Sequence, residues 1–357
     1  MGSNTMNPVS VSLNDLKAGN IPFENLLEAF GPSSLGILVV TDLPFHFPAL
    51  RAKVLASSSS LAHLPSEELG ALVNPGAKYL TGWSHGVETL RPGLIDTAKG
   101  SYYINCGFYH SPPYPDSTLA GADPKQFPGF EEYTSPNIWP AESTLPSFRK
   151  DAEELIRLII DVAVLVARAC DQYAEQEVPD YIPGYLEKVV KTSVTSKARL
   201  LHYFPPDATK LKQSRKDLEE ADDSWCATHL DHGCLTGLTS AMFLDEASNF
   251  STSTEITSPD PKSGLYILDR DSNTHKIAIP KDSLAFQTGE TLQLITKGRF
   301  KAVPHYVRGA DGDKGLGIAR NTLAVFTQPN LDEVVDLDTG LTFGEFARGV
   351  VKKNTTT

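Results

Sequence analysis

The chain has 357 residues, 40% hydrophobic and 21% charged, a balance that can bury a sizeable core and points to a globular protein, not a disordered or membrane one. A formal charge of -12 leaves no surplus of basic residues for nucleic acid or an anionic membrane, so the expected partner is a small neutral or cationic molecule. Cys106, Cys170, Cys226 and Cys234 are too sparse for a disulfide scaffold, and no secretory peptide is read ahead of them; they are expected as thiols in a cytoplasmic, monomeric protein.

Both ends of the chain, Met1 to Pro8 and Lys352 to Thr357, are polar and expected to fray. Val9 to Leu13 alternates like a short strand, Phe23 to Phe30 reads as a helix, and Leu35 to Val40 is an apolar, β-branched run bounded by turn residues. Pro48 to Leu72 has helical composition with a break at Pro65. Residues 74 to 147 are rich in Pro, Gly, Tyr and Ser, carry little periodicity and are expected as loops that wall a substrate site. Apolar residues at Phe148, Leu155, Ile159, Val162, Val166 and Cys170 predict one long helix over 146 to 173, interrupted by too many charges to span a bilayer.

Beyond about residue 190 short β-type runs separated by turns take over: Ala198 to Phe204, Thr236 to Leu244, Gly264 to Ile267, Lys276 to Ile279, Ser283 to Thr288, Gln293 to Ile295, Ala302 to Val307 and Asn321 to Thr327. Such a series predicts a sandwich or jelly roll. The charged stretch Asp207 to Asp223 and the Ser/Thr-rich stretch Asp245 to Ser263 read as surface insertions. The division is an N-terminal helical and strand region over 1 to 190 packing on a β-rich core over 191 to 350, the two forming one compact unit.

His229 and Asp231 stand two residues apart, a spacing that puts both side chains on one face of an extended strand, and His305 offers a second imidazole in a β-type run. Two imidazoles and one carboxylate leave open positions on an octahedral Fe(II), the arrangement that oxygen activation needs. A rival use of the same neighbourhood is a structural zinc site drawing on Cys226, His229, His232 and Cys234.

The ordered series Leu200-Leu201-His202-Tyr203-Phe204-Pro205-Pro206, His229-Leu230-Asp231, Gly289-Glu290-Thr291-Leu292-Gln293, His305 and Arg320-Asn321-Thr322 resembles the isopenicillin N synthase-like Fe(II)/2-oxoglutarate-dependent oxygenases over most of the chain. The resemblance implies a mainly β fold with flanking helices, a distorted double-stranded β-helix of jelly-roll form. It implies Fe(II) on His229, Asp231 and His305, with 2-oxoglutarate held by Arg320 and Thr322. A bidentate guanidinium suits the far carboxylate of a dicarboxylate; the alternative for Arg320 is a surface ion pair.

The chain departs from the family where a tyrosine hydroxyl normally reaches the cosubstrate. Phe204 stands there, so either 2-oxoglutarate sits with one fewer hydrogen bond or Tyr203 or His202 compensates, and His202 and Phe204 are further assigned to the substrate. The activity implied is oxidation of an unactivated C–H bond of a small molecule by O2, with 2-oxoglutarate as cosubstrate, giving hydroxylation, desaturation or cyclisation in specialised metabolism. Two alternatives stay open: an Fe(II) oxidative cyclase independent of 2-oxoglutarate, which Phe204 permits, and a non-catalytic metal-binding module. His46, His63, His85, His110 and His275 fall outside every motif and are expected to be solvated or capping.

Overall fold

In the computed structural model, residues 5–91, 94–206, 225–249 and 254–355 are described. The expected insertion at Asp207 to Asp223 lies outside them. No helix among the described residues is long and apolar enough to cross a membrane.

Two sheets face each other. The smaller is five-stranded, in the order Thr5–Met6, Thr274–Ile277, Gly264–Leu268, His305–Arg308, Cys226–His229. The larger runs Val9–Ser12, Ile37–Thr41, Leu284–Thr288, Leu235–Thr239, Ile318–Thr327, Lys197–Tyr203, Lys99–Asn105, Gly82–His85, with Met242–Asp245 and Glu255–Ile256 branching from Ile318–Thr327. The architecture is the expected distorted double-stranded β-helix with helices outside. Strands from before residue 190 extend the larger sheet at both ends, so the N-terminal region is hydrogen-bonded into the core rather than merely packed on it.

Period-two alternation assigns each strand residue a side. In Ile37–Thr41, Leu38 and Val40 join the main core under the helices, whereas Ile37 and Val39 meet Ile267 and Ile277 of the smaller sheet. In Ile318–Thr327, Leu323 and Val325 likewise face the helices, while Thr322, Ala324 and Phe326 face inward. The helix Phe148–Glu177 lies on the outer face of the larger sheet, so close that a Cβ added at Gly237 would stand 2.4 Å from Ile159 Cγ2. Glycine at that point lets the helix sit against the sheet backbone.

Two expectations are corrected. Residues 74 to 147 are not all loop: Gly82–His85 and Lys99–Asn105 are strands of the larger sheet. Every residue of Lys99–Asn105 is buried, so the polar–apolar alternation that announces a strand is absent. The run Gln293 to Ile295 is helical, within Glu290–Ile295; Gly289 leads into it and Glu290 occupies its first turn. The stretch Thr236 to Leu244 divides into Leu235–Thr239 and Met242–Asp245, which both pair with Ile318–Thr327.

Candidate metal and cosubstrate site

A cavity of about 370 Å3 opens between the two sheets. On its smaller-sheet side, His229 ends Cys226–His229 and His305 begins the neighbouring His305–Arg308, and the two residues are direct cross-strand partners. Their rings lie 4.3 Å apart. Asp231 stands past the strand end, in a loop docked by Glu290 N–H donating to the Asp231 carbonyl at 2.7 Å and Thr291 N–H to that of Gly233 at 3.1 Å. The loop turns the carboxylate back, so Nε2 of His229 and Nε2 of His305 are each 3.7 Å from Asp231 Oδ1.

Both imidazoles are oriented from behind. His229 Nδ1 lies 2.8 Å from the Ala227 carbonyl and His305 Nδ1 3.2 Å from the Val303 carbonyl. A carbonyl only accepts, so each Nδ1 carries a proton and each Nε2 is turned to the space beside Asp231. The Gln287 amide is 2.5 Å from His305 Nδ1, and its oxygen has no partner among the described residues; turned toward the ring, it accepts the same proton. Gln287 was not singled out in the sequence, where it follows the apolar residues of its strand with no motif around it.

Burial is the main influence on His305 and holds its pKa at about 4, so the ring is neutral and ligand-ready at ordinary pH. Burial opposes ionisation of Asp231, but the facing imidazoles of His305 and His229 carry its pKa below the usual carboxylate value. His229 is the accessible member, its side chain 42% exposed against 8% for His305 and 5% for Asp231. Burial opposes protonation of His229, but the neighbouring Cys226 and Asp231 raise its pKa to about 9, so this ring gives up a proton as it takes a cation. The set then offers two nitrogens and one anionic oxygen with an approach from one side, a donor set that fits a divalent first-row metal.

Across the cavity, the larger sheet contributes Arg320 and Thr322, which alternate onto the same inward face of Ile318–Thr327. Arg320 is not on the surface. It is buried, its guanidinium carbon sits 5.0 Å from the Tyr203 ring centre and 6.0 Å from that of Trp225, and Nε and Nη1 have no hydrogen-bond partner among the described residues. A buried cation with unpaired donors is costly unless an anion meets it, so the wall is shaped for a carboxylate or similar group.

Tyr203 is the cross-strand neighbour of Arg320 and points into the cavity. His202 and Phe204 do not. His202 is fully buried on the opposite face, with Nδ1 2.8 Å from Asn321 Oδ1, and Phe204 packs on the rings of His202 and His85 outside the cavity. The tyrosine that lines the cavity thus stands one residue before Phe204. The cavity is otherwise apolar along Leu201, Leu238, Phe243, Val307 and Phe326, with Arg199 and Lys276 among its charged lining residues.

The elements of the rival zinc site do not converge. An irregularity in the pairing of Cys226–His229 with His305–Arg308 brings Cys226 Sγ to 3.9 Å from His229 Nδ1. Cys234, however, is buried in the main core, and His232 is paired with Glu290 at 2.5 Å.

No protein-family model matches the chain, and no curated protein matches it in sequence. Solved structures do match in fold. A 2OG-Fe(II) oxygenase family protein from Caulobacter crescentus superposes with a TM-score of 0.66 at 20% identity, covering 99% of each chain. A full-length Neurospora crassa protein crystallised in complex with alpha-KG gives 0.64 at 17% identity, covering 93% of this chain and 88% of that one. JOX2 in complex with 2OG, Fe and JA gives 0.63 at 15% identity, covering 98% and 86%. At these identities the likeness is one of fold, and it extends over nearly the whole chain.

Proposed function

We propose that this protein is an Fe(II)- and 2-oxoglutarate-dependent oxygenase that oxidises an unactivated C–H bond of a small organic molecule in specialised metabolism. The observation that carries the reading is a buried Arg320 with unpartnered donors, in one cavity with the convergent His229, Asp231 and His305. Fold neighbours crystallised with alpha-KG, and in one case with 2OG, Fe and JA, support it.

His229, Asp231 and His305 would hold the iron. Arg320, with Thr322 and the Tyr203 hydroxyl beside it, would hold the far carboxylate of 2-oxoglutarate. Iron and keto acid together supply an oxidant made from O2, with succinate and carbon dioxide as the cosubstrate's products. The protein's part is placement. The two Nδ1–H donors fix the ligand rings, the Arg320 fork fixes the dicarboxylate at one distance from the ligands, and the apolar walls keep water from the reacting carbon. The half-exposed side of His229 leaves the approach by which a substrate reaches that face. The reading that uses 2-oxoglutarate is preferred over a cyclase independent of it because Arg320, with unpartnered donors, and Tyr203 line the same cavity.

The test is 2-oxoglutarate binding to the anaerobic, Mn(II)-loaded protein by calorimetry, for wild type and Arg320→Met. Two charge-assisted hydrogen bonds at about 1.5–3 kcal/mol each place the expected loss at about 100-fold or more. Equal affinity in the two proteins would remove Arg320 from the cosubstrate site. Stoichiometric succinate release with a substrate then reads the reaction itself.

A further inference from the structure

A second group of metal-ligating side chains meets outside the cavity, on the helix side of the larger sheet. His63 follows the helix Phe47–Ala62, His202 belongs to Lys197–Tyr203, and Glu246 opens the short helix Glu246–Asn249. One ligand atom from each lies within 4.8 Å of the other two, as is also true of the His229, Asp231, His305 set. Nε2 of His63 is 3.7 Å, and Nε2 of His202 3.9 Å, from Glu246 Oε2. These distances are too long for hydrogen bonds and a few tenths above the separation of about 3.4 Å between ligands on a tetrahedral ion with bonds of about 2.0–2.1 Å.

Each ring is again oriented through Nδ1. His63 Nδ1 lies 2.8 Å from the Ser59 carbonyl, and His202 Nδ1 2.8 Å from Asn321 Oδ1. Asn321 is itself fixed by Nδ2 donating to Ser59 Oγ at 2.8 Å. With the protons on Nδ1, both Nε2 atoms turn lone pairs toward the Glu246 carboxylate, an arrangement of acceptors facing acceptors.

His202 Nε2 is buried with no hydrogen-bond partner among the described residues, and the buried Glu246 carboxylate has only the Ser59 hydroxyl as a candidate donor. The side chains are 0% and 4% exposed. Buried acceptors converging in this way are strongly unfavourable unless something positive stands between them. Burial pushes the Glu246 carboxyl above its usual range, with the Ser59 hydroxyl and His63 opposing it. The His63 side chain, 34% exposed, provides the entrance.

We propose that His63, His202 and Glu246 form a second site, separate from the cavity, for a divalent transition cation of the Zn(II) type. Two imidazoles and one carboxylate are a sufficient protein set for zinc, and each ring has the outer hydrogen bond that such ligands use. The ion would pin the end of Phe47–Ala62 and the Glu246 helix to the strand whose next residue, Tyr203, lines the cavity. The proposal stands apart from the oxygenase reading, since none of its three ligands lines that cavity.

The experiment is a Zn(II) titration of full-length, metal-free protein against a chromophoric chelator, with circular dichroism on every variant. Wild type is expected to take up two tight equivalents. The double variant His229→Ala/His305→Ala should keep one, and either His63→Ala or Glu246→Gln in that background should weaken it about 100-fold or more, given that loss of an outer partner alone costs 10–100-fold. A wild type that binds one equivalent and loses it with His229→Ala/His305→Ala overturns the proposal. So does a second equivalent indifferent to both His63→Ala and Glu246→Gln. Either result would leave the cluster without an ion.

Discussion

Alanine at Gly289 probes how the aspartate of the cavity is held. A Cβ at this position would lie 2.2 Å from the Gly233 carbonyl oxygen and 3.0 Å from that of Asp231. Ordinary carbon contacts begin near 3.5 Å, so the Gly233 peptide would have to retreat by roughly 1 Å. Three hydrogen bonds hold this junction: Gly289 N–H to Cys234 at 2.9 Å, Glu290 N–H to Asp231 at 2.7 Å and Thr291 N–H to Gly233 at 3.1 Å. Losing two of them costs about 2 kcal/mol, and overpacking strain adds about 1–3 kcal/mol. The expected destabilisation is therefore about 3–5 kcal/mol, with iron affinity down about 10–100-fold because the Asp231 loop moves with Gly233. Thermal unfolding of the metal-free protein and anaerobic Fe(II) titration read the two effects separately. A Gly289→Ala protein with the wild-type unfolding midpoint, and iron affinity within about twofold of wild type, would refute the idea that this backbone contact positions Asp231.

Gln287→Leu removes the amide behind His305 without touching Arg320; iron affinity is expected to fall about 10–100-fold while 2-oxoglutarate affinity of the metal-saturated protein stays put, as calorimetry would show. The acid limb of stability should depend on Glu88. Burial opposes its ionisation, but Arg199 at 2.6 Å and Lys99 at 3.1 Å prevail and hold its pKa at about 2. Because the folded pKa is depressed, the stabilisation is complete above the unfolded value near 4.5 and is lost as pH falls from there toward 2. After allowance for partial exposure this amounts to about 2–3 kcal/mol, and Glu88→Gln should flatten that part of the stability–pH curve from urea unfolding; an identical slope in both proteins would contradict it.

The elements that share a cavity wall were legible in unequal degree. His229, Asp231, His305, Arg320 and Thr322 could be read because their types and order match a resemblance that spans most of the chain, and a strand period of two predicts which of them face together. The resemblance alone was less informative at Phe204. Which of two adjacent aromatic residues turns inward depends on register, and pairing of Tyr203 with Arg320 sends Tyr203 in and Phe204 out. The strand Lys99–Asn105 was illegible because it is buried on both faces and so shows no alternation. His63 and Glu246 gave no signal at all. They are single residues far apart in sequence, expected to be solvent-facing; the packing of Phe47–Ala62 on Lys197–Tyr203 brings His63 to His202, and the pairing of Met242–Asp245 with Ile318–Thr327 brings Glu246. Gln287 needed the position of His305 to acquire a role.

The order in which the larger sheet is assembled bears on synthesis. Ile37–Thr41 pairs in parallel with Val9–Ser12 on one side, but its other neighbour is Leu284–Thr288, far toward the C-terminus. During translation the apolar sequence ILVVT leaves the ribosome early and waits with an open hydrogen-bonding edge until most of the remaining chain has emerged. Sheet closure is thus a late, long-range event, slow by its topology, and the nascent chain is a natural client for holdase chaperones. Heterologous expression at reduced temperature, or with such chaperones supplied, should raise the soluble yield more than any change at the chain ends.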